Sequence, residues 1–256
     1  MIEPSSMPRP ASPLYVIGDI HGRIDLLDEM LGQIDADMTR HPLPPDERGQ
    51  LVFLGDYIDR TADGGAVIDL LQDLQQAAPD DAICLMGNHE RMLLDVLDAP
   101  QEHAFRWLRH GGEETLAGLG LTDPDAGSIG AETPPEAAAR LAERLRDALS
   151  ETTQGWLRDL PLWHRNGDVI CVHAAMDPDA SPEEQEAKTM LWDGCRRFHT
   201  QARRDGLWVV HGHSIVPDPI IHKRRIAIDT GAYYSDRLTA AVLYPDQPIR
   251  FLQTGP

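Results

Sequence analysis

Seven stretches of this chain are apolar and rich in β-branched residues: 14–18 (LYVIG), 50–55 (QLVFLG), 82–87 (AICLMG), 168–173 (DVICVH), 207–212 (LWVVHG), 225–230 (RIAIDT) and 238–244 (LTAAVLY). Most are bounded by Gly, Asp or Pro, and their length predicts buried strands. Between the first three the period changes. Ile24, Leu27, Leu31 and Ile34 share one helical face, and Val67, Leu70, Leu71 and Leu74 repeat the arrangement. Strand, helix, strand, helix, strand with short connections implies a parallel sheet with right-handed crossovers. The later strands follow one another more closely, which fits a second, mixed or antiparallel sheet packed on the first.

Residues 90–160 read as largely helical. Thr133, Pro134 and Glu136 form a capping-box signal with proline at the first helical position, and Leu141, Leu145 and Leu149 then mark one face. The Gly- and Asp-rich piece 118–130 reads as a loop. Because the whole stretch sits beside the strand ends, it is expected to cap an active site within one domain spanning 14–250. Residues 1–13 read as a flexible tail, with neither the basic start nor the apolar stretch of a signal peptide. No apolar run approaches the ~20 residues of a membrane-spanning helix. Cys84 and Cys171 lie inside apolar strands and Cys195 has no CxxC partner, as expected in a reducing compartment. A cytoplasmic protein is the expectation.

Charge changes the picture. Against 42 acidic residues stand 23 Lys and Arg, a net charge of −19. So acidic a surface repels nucleic-acid polymers and anionic membranes. It also repels phosphate substrates, so any phosphate chemistry requires a locally positive site.

The chemistry-bearing residues fall at strand ends. The first strand runs into Gly18-Asp19-Ile20-His21, the second into Gly55-Asp56-Tyr57-Ile58-Asp59-Arg60, and the third into Gly87-Asn88-His89-Glu90. Ligands of open α/β sheets bind in the crevice beyond the carboxyl ends of the strands. One Gly-Asp after a strand is an ordinary turn. Three in order, each followed by His or Arg, are improbable as independent turns. His173 closes the fourth strand, and His211-Gly212-His213 closes the fifth. Carboxylate, amide oxygen and imidazole together suit Mn²⁺, Fe or Zn²⁺ better than Ca²⁺.

GDIHG, GDYIDR, GNHE, VHA and HGHS, in that order, resemble the metallophosphoesterase superfamily. Within it they are similar to the bacterial branch of the phosphoprotein phosphatase family, the Ser/Thr phosphatases and their diadenosine tetraphosphatase relatives. Residues 107–120 (WLRHGGEETLAGLG), 160–163 (LPLW) and 228–240 (IDTGAYYSDRLTA) resemble that branch too. The resemblance implies an α/β/β/α sandwich of four layers with a helical cap. It implies two divalent cations, Mn²⁺ first, with Fe or Zn²⁺ as alternatives. One would be held by Asp19, His21 and a bridging Asp56, the other by Asp56, Asn88, His173 and His213. It implies hydrolysis of a phosphate monoester by direct attack of a hydroxide held between the cations, without a covalent phosphoenzyme. His89 corresponds to the general acid, Asp59 to the carboxylate that orients it, and Arg60 and Asn88 to phosphate contacts. His211 is expected only to neighbour the ligands.

Charge counting agrees with this arrangement. Two divalent cations carry +4, and Asp19 and Asp56 return only −2, so the pocket attracts a phosphate dianion despite the acidic exterior. Where many protein phosphatases of the family have a phosphate-clamping arginine before GNHE, this chain has Met86. The family's Trp-x-Arg segment is altered around Trp192, and Arg196 is the candidate for its shifted arginine. The leading expectation is a serine/threonine-type protein phosphatase. The alternatives are a hydrolase of nucleotides such as diadenosine tetraphosphate, or a non-catalytic metal-binding interaction module.

Overall fold

A computed structural model describes residues 7–44, 48–121 and 135–255. In chain order the strands are β1 (Leu14–Ile17), β2 (Gln50–Phe53), β3 (Ala82–Cys84), β4 (Trp163–Asn166), β5 (Val169–Val172), β6 (Trp208–His211), β7 (Ile220–His222), β8 (Arg225–Ala227), β9 (Thr239–Leu243) and β10 (Arg250–Gln253). The helices used below are α1 (Ile24–Arg40), α2 (Gly64–Ala77), α3 (Asn88–Asp98), α4 (Pro100–Trp107), α5 (Glu113–Gly118), α6 (Pro135–Ala148), α7 (Glu151–Asp159), α8 (Ala187–Trp192), α9 (Arg196–Thr200) and α10 (Ala232–Ser235).

The strands form two five-stranded sheets, ordered β10-β9-β1-β2-β3 and β4-β5-β6-β8-β7. As expected, β1, β2 and β3 are mutually parallel. The second sheet is mixed, with β5, β6 and β8 parallel and β4 and β7 antiparallel at its edges. The apolar run 238–244 departs from the expectation that late strands build the second sheet. As β9 it returns to pair antiparallel with β1 in the first sheet, which leaves β10 as that sheet's edge. Apolar periodicity fixes that a strand is buried, not which neighbour it pairs with.

Alternation along each strand sorts the core into layers. Leu14 and Val16 of β1 face Val169 and Cys171 of β5 and Trp208 and Val210 of β6 in a cluster between the sheets. Tyr15 and Ile17 point the other way, into a cluster with Leu27, Met30 and Ile34 of α1 and Val67, Ile68 and Leu71 of α2. Ile170 and Val172, on the far face of β5, pack with Met190 of α8 and Phe198 of α9. Helix, sheet, sheet, helix is therefore the observed layering. Helices α3 to α7 add Leu93, Leu97, Trp107, Leu141, Leu145 and Leu157 to the cluster that covers the first sheet. The capping signal at Thr133 and most of the expected 118–130 loop lie outside the described residues, and Gly118 itself ends α5. No helix among the described residues is long and apolar enough to cross a membrane.

Residues 8–13 are not the free tail expected from the sequence. Arg9 N donates to Asp168 Oδ1, Ala11 N and Ser12 N donate to Asn166 Oδ1, and Asp246 N donates to Pro8 O. The side chains flanking the β4–β5 turn, Asn166 and Asp168, offer this segment acceptors that composition alone does not reveal.

One buried polar network fastens α1 to the first sheet. Asp37, buried on α1, accepts from Tyr15 Oη of β1 (2.8 Å) and from both terminal nitrogens of Arg250 on β10 (2.6 and 3.0 Å). The hydrogen bonds from Arg250 hold the Asp37 carboxyl below the usual range, against the opposing effect of burial. Asp37→Ala takes both carboxylate oxygens from the half-buried guanidinium and leaves the Tyr15 hydroxyl only the Tyr244 hydroxyl at 2.9 Å as partner, so we expect a loss of about 2 kcal/mol of stability. Urea unfolding measures it, and an unchanged midpoint would show that this network adds nothing.

Candidate active site

The polar motifs converge because the strands carrying them run parallel and end together. Asp19 and His21 follow β1, Asp56 to Arg60 follow β2, Asn88 and His89 open α3 directly after β3, and His173 and His213 follow β5 and β6. Asp19, His21, Asp56, Asp59, Asn88, His89 and His173 are all buried. The backbone is bent to hold them: His21, Asp56, Asp59, Arg60 and His213 all have positive φ, between 48° and 71°. Such conformations are costly for non-glycine residues and gather at functional sites. The motif glycines permit close approach. A Cβ on Gly87 would collide with the Asp56 amide and carboxylate, and one on Gly212 with the Asp19 carboxylate.

Two donor clusters share one residue. The donor atoms of His21, Asp56 and His89 lie within 4.8 Å of one another, and so do those of Asp56, His173 and His213. Asn88 Oδ1 joins the second cluster, 2.8 Å from His173 Nε2 and 2.8 Å from His213 Nδ1. Asp19 lies beside them, its carboxylate accepting from His213 N at 3.0 and 3.2 Å. The tautomers follow from the carbonyls behind the rings. His21 Nδ1–H donates to Ile58 O (2.9 Å) and His173 Nδ1–H donates to Leu54 O (3.0 Å), so each ring turns an Nε2 lone pair inward.

Electrostatics call for cations here. Burial pushes the Asp19 carboxyl well up, reinforced by Asp229 and Asp56. It raises Asp229 and Glu90 to about 7 each. Burial also opposes ionisation of Asp56, but the surrounding imidazoles of His173, His89, His21 and His213 outweigh it and hold Asp56 below the usual carboxylate range. Desolvation lowers His21 to about 3 and His173 to about 4, and lowers His213 as well, which keeps all three as neutral lone-pair donors. Among the described residues no Lys or Arg forms an ion pair with Asp19, Asp56, Glu90 or Asp229. The His173 lone pair points at the Asn88 carbonyl oxygen, an arrangement that is repulsive without a cation between them. The donor set therefore fits divalent metal ions, with Asp56 common to both clusters.

His89 is held differently. Its Nδ1 donates to Asp59 Oδ2 at 2.6 Å, while its Nε2 faces the cluster, 3.9 Å from Asp56 Oδ2. Burial disfavours charge on this ring, but Asp56 and the bond to Asp59 outweigh it and raise its pKa. Arg60 reaches over the Tyr233 ring (5.0 Å), and its Nε is buried without an acceptor among the described residues. Arg196 is exposed at the start of α9, lining a surface cavity of about 530 Å³ with Glu186, Thr189 and Arg197. None of its hydrogen bonds among the described residues reaches the clusters. His211 stays outside them, its ring 4.9 Å from Phe198 and lowered to about 4 by burial.

Residues 12–219 match the model of the calcineurin-like phosphoesterase family. The chain belongs to that family. It is a metallophosphoesterase, a phosphoric ester hydrolase, on the α/β fold described above. The asymmetrical bis(5'-nucleosyl)-tetraphosphatase PrpE of Oceanobacillus iheyensis is 26% identical over 238 residues, covering 88% of this chain and 86% of that one. The protein of the same name from Bacillus subtilis is 25% identical, covering 88% of each. Among solved structures, one provisionally assigned as a diadenosine tetraphosphatase superposes with a TM-score of 0.63 at 20% identity, over 96% of both chains. A serine/threonine phosphatase of Saccharomyces cerevisiae gives 0.52 at 14% identity, over 98% of this chain and 84% of that one. At these identities the superpositions speak for the fold.

Several residues of this phosphoesterase site carried no assigned role in the sequence reading. Glu90 accepts from the amides of Asp56 (2.9 Å), Tyr57 (2.8 Å) and Gly87 (3.0 Å), binding the β2 and β3 loops together. Asp229 is buried just beyond β8 and accepts from Gly231 N (2.9 Å). Its signal was available: like Asp19, it ends a buried apolar strand. Trp107, Thr115 and Tyr233 lie in segments recognised as family-like, but nothing in their spacing shows what they touch.

Proposed function

We propose that this phosphoesterase hydrolyses nucleoside polyphosphates, with bis(5'-nucleosyl) tetraphosphates as the substrate class, in place of the protein-phosphatase activity expected first. The observation that carries this reading is the match to tetraphosphatases, over 88% of this chain and 86 to 88% of theirs. Met86 gives secondary support. It is buried in the core against the first sheet and can donate nothing to a phosphate where many protein phosphatases have arginine.

In this reading Asp19, His21 and Asp56 hold one Mn²⁺, and Asp56, Asn88, His173 and His213 hold the other. Two such cations supply an activated water and neutralise phosphate charge. Arg60, whose buried Nε lacks an acceptor, donates to phosphate oxygens, and Asn88 orients them. His89 protonates the leaving oxygen, oriented by Asp59. Tyr234 offers a nucleobase a surface: it is 60% exposed, and its ring lies 5.1 Å from Tyr233, which lies 5.4 Å from His21. The three free cysteines, two of them buried, fit a reducing cytoplasm.

The test is a Mn²⁺-loaded panel of diadenosine tetraphosphate, a phosphoserine peptide and 4-nitrophenyl phosphate. The dinucleotide is expected to have the highest kcat/KM, and a preference for the peptide would restore the protein-phosphatase reading. Tyr234→Ala is expected to raise KM for the dinucleotide about tenfold, the loss of one stacking contact, while inhibition by inorganic phosphate stays unchanged.

A further inference from the structure

The geometry points to Trp107 and Thr115 as positioning residues of the hydrolytic site: they fix the Asp59 carboxylate, and through it the His89 imidazole, in the attitude that delivers a proton to the leaving group. This rests on the proposed acid role of His89. It adds that the helical segment over the first sheet takes part in catalysis rather than only covering the site.

Asp59 is fully buried. Thr115 Oγ1 donates to its Oδ1 at 2.6 Å, Trp107 Nε1 donates to both carboxylate oxygens at 3.1 and 3.0 Å, and His89 Nδ1 donates to Oδ2 at 2.6 Å. Asp59 N donates back to Thr115 Oγ1 at 2.9 Å. Three donors thus converge on one carboxylate, which leaves it little freedom to rotate, and the ring hydrogen-bonded to it is fixed in turn. With Nδ1 engaged, Nε2 is the atom left facing the donor clusters.

The backbone between Trp107 and Thr115 is shaped for this convergence. In an unbroken α-helix, residues eight apart are separated by about 12 Å along the axis and could not reach the same carboxylate. Here a π-helical turn, Leu108–Gly112, intervenes, with Gly111 at φ 108°. Gly111 O also accepts from Arg60 N at 3.2 Å, and a side chain on Gly111 would strike the Arg60 backbone. The kink folds α4 and α5 around Asp59 and seats the same turn on the neighbouring phosphate-facing residue. Such interruptions recur at functional sites.

In the step concerned, water oxygen forms a new bond to phosphorus, with one of its protons released to solvent and the other kept on the product phosphate. The bond from phosphorus to the leaving oxygen breaks, its electron pair stays on that oxygen, and the proton comes from His89 Nε2. The ring is reprotonated from solvent after product leaves. A leaving group as acidic as 2,4-dinitrophenol departs without that proton, whereas phenol needs it.

The experiment compares Thr115→Val, Trp107→Phe, Thr115→Ser and His89→Asn with the wild type, all Mn²⁺-loaded, on 2,4-dinitrophenyl, 4-nitrophenyl and phenyl phosphate. Metal content and melting temperature are measured alongside. Thr115→Val and Trp107→Phe are expected to lower kcat on phenyl phosphate about tenfold or more. On 2,4-dinitrophenyl phosphate they are expected to stay within about twofold of wild type, since that step draws little on the acid. Thr115→Ser, which keeps the donor, should restore the phenyl rate. Added to His89→Asn, Thr115→Val should slow phenyl phosphate no further. If His89→Asn is selective for poor leaving groups but Thr115→Val and Trp107→Phe slow all three esters equally, the positioning role is overturned and the acid role stands. If His89→Asn shows no selectivity, the acid role fails first. Should Thr115→Val not fold, the same comparison is read from Trp107→Phe.

Discussion

Asp56→Asn is expected to lose bound metal and hydrolytic activity together. Asp56 is the residue common to both donor clusters, and its carboxyl, though buried, is held below the usual carboxylate range. Asparagine has the same shape and can still accept from His89 N, as Asp56 Oδ1 does at 3.0 Å. The substitution therefore removes charge while sparing the fold. Without that charge a shared ligand becomes a weak neutral donor, and both cations lose affinity at once. Metal analysis of the purified variant should show most of the manganese gone, with kcat reduced to near background on every ester. Manganese at about a hundred times its Kd adds about 2.7 kcal/mol to the stability of the wild type by mass action, a gain the variant should lack in a thermal melt. A variant that binds a full complement of metal would remove Asp56 from the bridging position.

His89→Asn is expected to separate what Asp56→Asn joins. His89 N anchors Asp56, but that contact is backbone and survives the change. The side chain lost is the one bonded to Asp59 at 2.6 Å. Metal content should therefore stay close to wild type while turnover of poor leaving groups falls at least ~10²-fold, the usual contribution of a positioned general acid. Esters with very acidic leaving groups should be nearly unaffected. His89 also lies within reach of a metal cluster with His21 and Asp56, so metal content is the deciding measurement. Loss of one ion from His89→Asn would make His89 a ligand, and wild-type activity on phenyl phosphate would dismiss the acid role.

Much of the site was legible in the chain because its signal is local. A buried strand that stops at Gly-Asp or Gly-Asn, with His or Arg just beyond, announces both an element and what it delivers. Three such strand ends in order, with His173 and His213 closing two further strands, marked where the chemistry gathers, and the family resemblance carried by the same motifs supplied the ligand set Asp19, His21, Asp56, Asn88, His173 and His213. Asp229 also ends a buried apolar strand, but with no glycine before it and no histidine or arginine after it, so its local signal is weaker. Arg196 rests on weaker ground. It was chosen from a shifted motif alone, and the structure leaves it exposed beside a separate surface cavity. The protein-phosphatase expectation came from motifs that neighbouring branches share, so they fix the chemistry of phosphate hydrolysis more firmly than the group that leaves.

The sequence by itself determined seven of the ten strands, the helical faces of α1 and α2 and the parallel arrangement of the first three strands. Each of these follows from periodicity or from residues close together along the chain. Only the tertiary structure decided that β9 and β10 complete the first sheet, that residues 8–13 are pinned to the β4–β5 turn, and that Trp107 and Thr115 clasp Asp59. Those facts are pairings between distant segments. Which buried strand meets which, and which donor reaches a carboxylate 48 or 56 residues away, depends on how packing closes the whole core.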